Sequence, residues 1–288
     1  MTARSTARSP LYFALRRFAD NKAAMVSGII LAVIILMAVF APLISKTGYE
    51  DQDFLTQALG FPSREFWFGV DDLGRDFFTR IIYGARVSLT IGFVAAAFSV
   101  VIGIPLGAAA GYYGGRIDWG VMRLIELFSV VPPLLAAMLL GALTKGGFAT
   151  IVLIAALFGW VQVCLLVRAQ VKAFREKEFV RAAAALGASP GYIIRRHLIP
   201  NSISPIIVGF VLAIPLAMML EASLSFLGIG VPPPVPSWGQ MINVGMNFMY
   251  FYWHMAVFPT AALAITVLAI TLFGDGLRDA LDPTLKGR

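Results

Sequence analysis

The sequence predicts an all-α membrane protein with six transmembrane helices and both termini in the cytoplasm. Three observations predict it. Of the 288 residues, 59% are hydrophobic and only 14% are charged, and the mean hydropathy of +0.81 lies far above that of a soluble domain. Several apolar runs reach the ~20 residues that a helix needs to cross a bilayer. The basic residues gather in alternate connecting segments, as the positive-inside rule expects of cytoplasmic loops.

The first apolar run, 23–44, is too long for a signal-peptide core, and no small-residue cleavage site follows it. It is therefore read as a retained span. The other five spans are 89–110, 121–143, 148–167, 204–222 and 255–273. With the N-terminus inside, 17 of the 23 basic residues become cytoplasmic, and only Lys46, Arg64, Arg75, Arg80, Arg86 and Lys145 fall on the other side. The chain then divides into a cytoplasmic segment 1–22, the first span, an extracytoplasmic loop 45–86, a five-helix core 87–274 and a cytoplasmic tail 275–288.

Within these elements the small and rigid residues carry meaning. Gly103, Gly107 and Gly111 line one face of the second span. That spacing lets a neighbouring helix approach closely, which points to packing rather than pore lining. Pro105, Pro132, Pro133 and Pro215 fall inside spans and predict kinks. The segment IGVPPPVPSW, 229–238, cannot be a regular helix and predicts a rigid extracytoplasmic loop ending at Trp238. Asp71, Asp72, Arg75 and Asp76 predict a salt-bridged surface folded against that loop. Asp275, Arg278, Asp279 and Asp282 form a similar polar tail suited to helix capping or partner contact.

Composition also excludes some chemistry. The single cysteine, Cys164, forbids an internal disulfide, and an apolar setting predicts a buried, inert thiol. His197 and His254 cluster neither with each other nor with Cys164, so no metal site is expected. The net charge of +7 belongs to cytoplasmic loops rather than to nucleic-acid binding.

The stretch EFVRAAAALGASPGYIIRRHLIPN, 178–201, lies between spans four and five. Helix formers lead up to Gly187, a plausible left-handed stop. Ser189 and Pro190 then mark a new start, as N-cap and first helical residue. A second short helix, about 190–197, is expected to run up to Pro200. The prediction is a slim, basic helix pair on the cytoplasmic face. Whether anionic lipid or another protein covers it stays open at this level.

The same stretch resembles the cytoplasmic "EAA" loop of permease subunits of bacterial ABC importers. Ala182, Ala183, Gly187 and Pro200 match that spacing, while Arg181 stands at the usual glutamate and His197 at the usual isoleucine. FGVDDLGRDFFTRIIYGARVSL (68–89), ASLSFLGIGVPPPVPSWGQMI (222–242) and GDGLRDALDP (274–283) look like the second permease subunit of the dipeptide, oligopeptide and nickel importers. The resemblance implies a type I ABC importer (MetI-like) permease fold in the bacterial inner membrane. It also implies pairing with a homologous second permease, two ATPase subunits that bind ATP and Mg, and an extracytoplasmic solute-binding protein. The chain itself holds no cofactor and is not an enzyme, in keeping with its lack of a G-x-x-x-x-G-K-[ST] phosphate loop. The implied ATPase-docking residues are Phe179, Arg181, Ala182, Ala183, Leu186, Gly187, Ala188, Ser189 and Pro190.

Three further residues are candidates for the pathway or its gating. Glu126 has Arg123 three residues earlier on the same helix face, which favours a local ion pair. Glu221 sits near the outer end of span five, where it is expected to reach water or partner groups. Gln162, in span four, suits a helix–helix hydrogen bond. Peptides are the first choice of cargo; nickel complexes, glutathione-like compounds and oligosaccharides are alternatives within the family. An ion-coupled secondary transporter would need coupling acids deep in the spans or a repeated half-structure, and neither is evident.

Overall fold

The computed structural model describes residues 10–52, 58–144 and 146–281. Arg4, Arg8, Lys145, Asp282, Lys286 and Arg288, which enter the sequence argument, lie outside the described residues. The described residues form thirteen α-helices: α1 (Pro10–Asp20), α2 (Lys22–Val39), α3 (Ala41–Ile44), α4 (Phe77–Tyr113), α5 (Gly115–Val130), α6 (Pro133–Thr144), α7 (Phe148–Arg175), α8 (Glu178–Ala185), α9 (Pro190–Ile193), α10 (Ile199–Asn201), α11 (Ile203–Phe226), α12 (Trp238–Phe248) and α13 (His254–Leu281). A π-helical turn, Ile194–Leu198, joins α9 to α10.

Five of these helices, α2, α4, α7, α11 and α13, are long and apolar enough to cross a membrane. The sixth span is the pair α5 and α6, bent by 77°. The expectation of one straight span over 121–143 is corrected here. Val131 adopts φ −83° and ψ 119°, because the ring of Pro132 disfavours helical backbone at the residue before it. The first span also breaks early: α2 ends at Val39, and α3 restarts with Pro42 in its first turn. The second span is the inner part of a much longer helix. Asp76 starts α4 by accepting from the backbone N–H groups of Phe78 and Thr79.

Packing follows the small residues. A Cβ placed on Gly103 would lie 2.9 Å from the Trp160 carbonyl oxygen. On Gly107 it would lie 2.5 Å from that of Cys164, and on Gly111 2.7 Å from that of Arg168. Only hydrogen fits between α4 and α7 there, and the glycine stripe is a packing face as its spacing predicts. The α7 face beneath it buries Val163, Val167 and Val171. A second core joins Leu31 of α2, Met218 of α11, Trp238 of α12 and Ile270 of α13.

The charged cluster before α4 is not a surface. Asp71, Arg75 and Arg80 are all buried. Asp71 Oδ2 meets Arg75 Nε at 2.7 Å and Arg80 Nε at 3.3 Å. Arg80 Nη1 also donates to the Tyr49 and Pro234 carbonyl oxygens, at 3.0 and 3.3 Å. One guanidinium thus ties the 45–76 segment and the proline-rich segment to α4. Fixed partners on several sides make its burial tolerable.

Candidate functional site

The segment between α7 and α11 is a built structure rather than a loose loop. Helix α8 closes with paired bonds, Gly187 N–H to Ala184 O at 3.0 Å and Ala188 N–H to Ala183 O at 3.1 Å. Gly187 sits at φ +85°, the left-handed conformation that such a cap requires. Ser189 then accepts from the Tyr192 N–H at 3.4 Å, and Pro190 begins α9. Both predicted boundary signals therefore act as read. The predicted stop at Pro200 does not occur. In the π turn, Ile199 N–H donates to Ile194 O, five residues back. This wide turn leads the chain into Pro200, which has no N–H to offer, without a break.

Val180, Ile193 and Leu198 are buried against Val167 and Val171 of α7 and Ala108 of α4. The helix pair is thereby welded to the two most closely packed spans. Ala183 and Ala188 face this core and are half-buried. Phe179, Arg181, Ala182, Leu186, Gly187, Ser189 and Pro190 form the exposed side. Leu186, 89% exposed, is its apex. Arg181 pairs with Glu176 at 3.1 Å on the open surface, so a local carboxylate answers its charge.

The three pathway candidates fall in three different places. Glu126 is exposed and paired with Arg123, as the spacing predicts. Gln162 makes no hydrogen bond among the described residues, contrary to expectation. It instead lines a cavity of 730 Å³ between α7 and α11, with Ser99, Phe158, Leu212 and Leu216. The α6 turn at Pro133 and Leu134 closes one side, so the bent span shapes this space. No charged side chain lines it.

Glu221 is the third, and it neither reaches water nor faces that cavity. It is 0% exposed. Ser88 of α4 donates to its Oε2 at 3.1 Å, and Ser225 donates to its Oε1 at 2.7 Å. Ser237 Oγ bonds Ser225 Oγ at 3.4 Å and caps α12 by accepting from Gln240 N–H. The backbone N–H of Trp238 donates to Ser88 Oγ. Glu221 therefore anchors three helices.

Sequence reasoning missed α12 entirely, although S-W-G-Q at 237–240 carries the capping-box spacing that could have announced it. It also missed the bridge between Asp118 of α5 and Arg168 of α7, for which the sequence holds no signal.

Residues 103–287, which include the helix pair, Glu221 and all of the named cavity lining but Ser99, match the family described as binding-protein-dependent transport system inner membrane component. The chain belongs to this permease family. Residues 9–62 match a second family, the N-terminal transmembrane domain of oligopeptide transport permease C. The permease is 41% identical over 273 residues to the oligopeptide transport system permease protein OppC of Bacillus subtilis, covering 95% of this chain and 89% of that protein. It is 42% identical to the dipeptide transport system permease protein DppC of the same organism, covering 95% and 85%. The glutathione transport system permease protein GsiD of Pectobacterium atrosepticum is 38% identical, at 97% and 93%. Among solved structures, an inward-facing MetNI methionine ABC transporter shares the fold. Its TM-score is 0.56 at 18% identity, covering 70% of the permease and 96% of that chain. The permease is an integral inner-membrane protein by family, with spans to match.

Proposed function

We propose that this permease is one half of the translocation pathway of an ATP-driven peptide importer. The other half is a homologous permease. Two ATPase subunits bind ATP and Mg on the cytoplasmic side, and a solute-binding protein delivers cargo from the other side. The chain performs no catalysis itself.

The observation that carries this reading is the exposed rim of the helix pair, from Phe179 to Pro190, on a base welded to α4 and α7. A protruding apolar apex at Leu186 suits insertion into a protein cleft better than contact with solvent. A push on that rim is passed through Val180, Ile193 and Leu198 to the two spans that pack most tightly. The charge bias of the sequence places the rim and both termini in the cytoplasm. In this reading the core, 87–274, carries the cavity and the rim. Peptides remain the preferred cargo, since the named relatives carry oligopeptides, dipeptides and glutathione, and the uncharged cavity places no fixed charge against a peptide's side chains.

The test is Gly187→Trp in the assembled importer. ATP hydrolysis is expected to continue while peptide uptake falls away. Uptake that stays tightly coupled to hydrolysis would overturn the reading. Gly187→Asn, which tolerates left-handed backbone, is the control that retains uptake.

A further inference from the structure

Between α2, α4 and α13 runs a groove of 460 Å³. Its walls include Ile29, Val33 and Met37 of α2, Ile81 and Ala85 of α4, and Ile265 of α13. Two polar groups touch it, and both are already engaged. Thr266 Oγ1 donates to Ala262 O at 2.7 Å, and Trp238 Nε1 donates to Ile81 O at 3.0 Å. The groove therefore offers no hydrogen bond, so neither water nor a peptide gains anything by entering it. An occupant must be hydrocarbon.

The dimensions narrow that further. The groove spans residues 29–37 on α2, 78–85 on α4 and 258–266 on α13. Each stretch is about 12 Å of helix, close to the ~15 Å of hydrocarbon in one leaflet. All three lie toward the end of the bundle that bears the 45–76 segment, so the groove occupies one leaflet. Ile29 and Val33 belong both to its wall and to the exposed apolar face of α2. The groove thus opens directly onto the surface that an inner-membrane protein presents to lipid.

Its outer end is built like a membrane interface. The Phe68 ring stacks on Phe258 at 4.2 Å and meets Phe78 edge-on at 5.1 Å, roofing the groove. Trp67, exposed, packs on Phe78 at 5.0 Å, and Lys46 Nζ lies 6.0 Å from the Trp67 ring. Lys46 bonds the Glu65 carbonyl oxygen at 3.4 Å, and no carboxylate pairs with it among the described residues. An indole beside an available ammonium, directly above an apolar slot, complements a phosphate joined to an acyl chain.

We propose that this groove binds one acyl chain of a phospholipid whose phosphate is held at Lys46. The lipid fills the gap between α2 and the core, and seats the first span on the remainder of the bundle. This site is separate from the cargo cavity and does not depend on which cargo is carried.

The test uses the assembled importer in lipid nanodiscs containing phosphatidylglycerol with a photoreactive acyl chain. Adducts are expected to concentrate on 29–37 and 258–266, above their density at Phe98, an exposed residue of α4 outside the groove. Ala262→Phe, which fills the groove, should lower those adducts on the order of tenfold, the effect of excluding about two methylenes, and leave Phe98 unchanged. Ile265→Trp narrows the same mouth and is read identically if the first variant does not assemble. Lys46→Gln should remove the preference for phosphatidylglycerol over a diacylglycerol with the same photoreactive chain. Groove adducts no denser than those at Phe98, or unaffected by filling, would overturn the proposal. So would loss of the adducts on assembly with the second permease, which would mean that a protein helix occupies the slot.

Discussion

Ser88 of α4 and Glu221 of α11, separated by 133 residues in sequence, meet in a buried hydrogen bond of 3.1 Å. The carboxylate also holds Ser225, and Ser225 holds Ser237, the cap of α12. A fully enclosed carboxyl is tolerable only when its oxygens are engaged, and here each accepts from a serine. Glu221→Ala should therefore leave Ser88 and Ser225 without their shared partner and open a cavity, at about 2–4 kcal/mol. Glu221→Gln keeps the shape and a polar partner for each serine, and should lose much less. Thermal unfolding of the purified permease in detergent checks both. Equal losses for the two variants would show that charge, rather than the hydrogen-bond pattern, matters at this position.

Gly107 of the α4 stripe and Gly120 of α5 predict opposite signs for like substitutions. Gly107→Ala places a methyl group against the Cys164 carbonyl oxygen and should cost about 1–3 kcal/mol by overpacking. Gly120, inside α5, has no neighbour within 4 Å of a built Cβ. Gly120→Ala should stabilise by about 1 kcal/mol through helix propensity. Melting temperatures of the two variants, measured side by side, decide it.

Asp72 predicts a pH dependence. Burial, reinforced by the charge of Asp71, raises its carboxyl above the ordinary value of 3.8. One of its oxygens is enclosed without a hydrogen-bond donor, and its ion pair with Arg75 is long, at 3.9 Å. A raised carboxyl binds its proton more tightly in the folded state. Ionisation therefore costs stability as the pH rises from 3.8 through the folded value, and the cost persists above it. Asp72→Asn should be more stable than the wild type at neutral pH. The advantage should shrink as the pH falls toward 3.8. Unfolding curves recorded across that range would show an advantage independent of pH if Asp72 ionised normally.

Leu186 separates docking from folding. At 89% exposed it adds little to the stability of the chain, and Leu186→Ala should shift that by no more than about 0.5 kcal/mol. The same variant should weaken capture of the ATPase subunits and slow uptake. A pull-down of the ATPase from solubilised membranes, paired with a melting curve, reads both quantities on one preparation. Full capture with normal melting would remove Leu186 from the interface.

Much of the architecture is written locally and can be read without coordinates. Hydropathy over about 20 residues marks each span, because the bilayer demands that much apolar helix. The stripe Gly103, Gly107, Gly111 declares its own packing face, since helical periodicity alone aligns those positions. The turn at Gly187, Ser189 and Pro190 is equally legible, because a left-handed cap and an N-cap depend on single residues. The ion pair of Arg123 and Glu126 follows from spacing within one turn.

Tertiary structure decided the rest, wherever a residue's role depends on a partner far along the chain. Nothing near Glu221 in sequence reveals that Ser88 lies beside it, and so an expected interfacial acid became the hub of three helices. Arg80 reads as one more loop charge until Tyr49, Asp71 and Pro234 close around it. Gln162 faces a cavity whose one side is set by α6, which turns at Pro132 and brings Pro133 and Leu134 to its rim. The sequence by itself determined which segments enter the membrane and how their ends are capped, through free energies of transfer and local backbone geometry. Which polar groups are enclosed, and which are left facing open space, is set by long-range packing, which a local pattern does not encode.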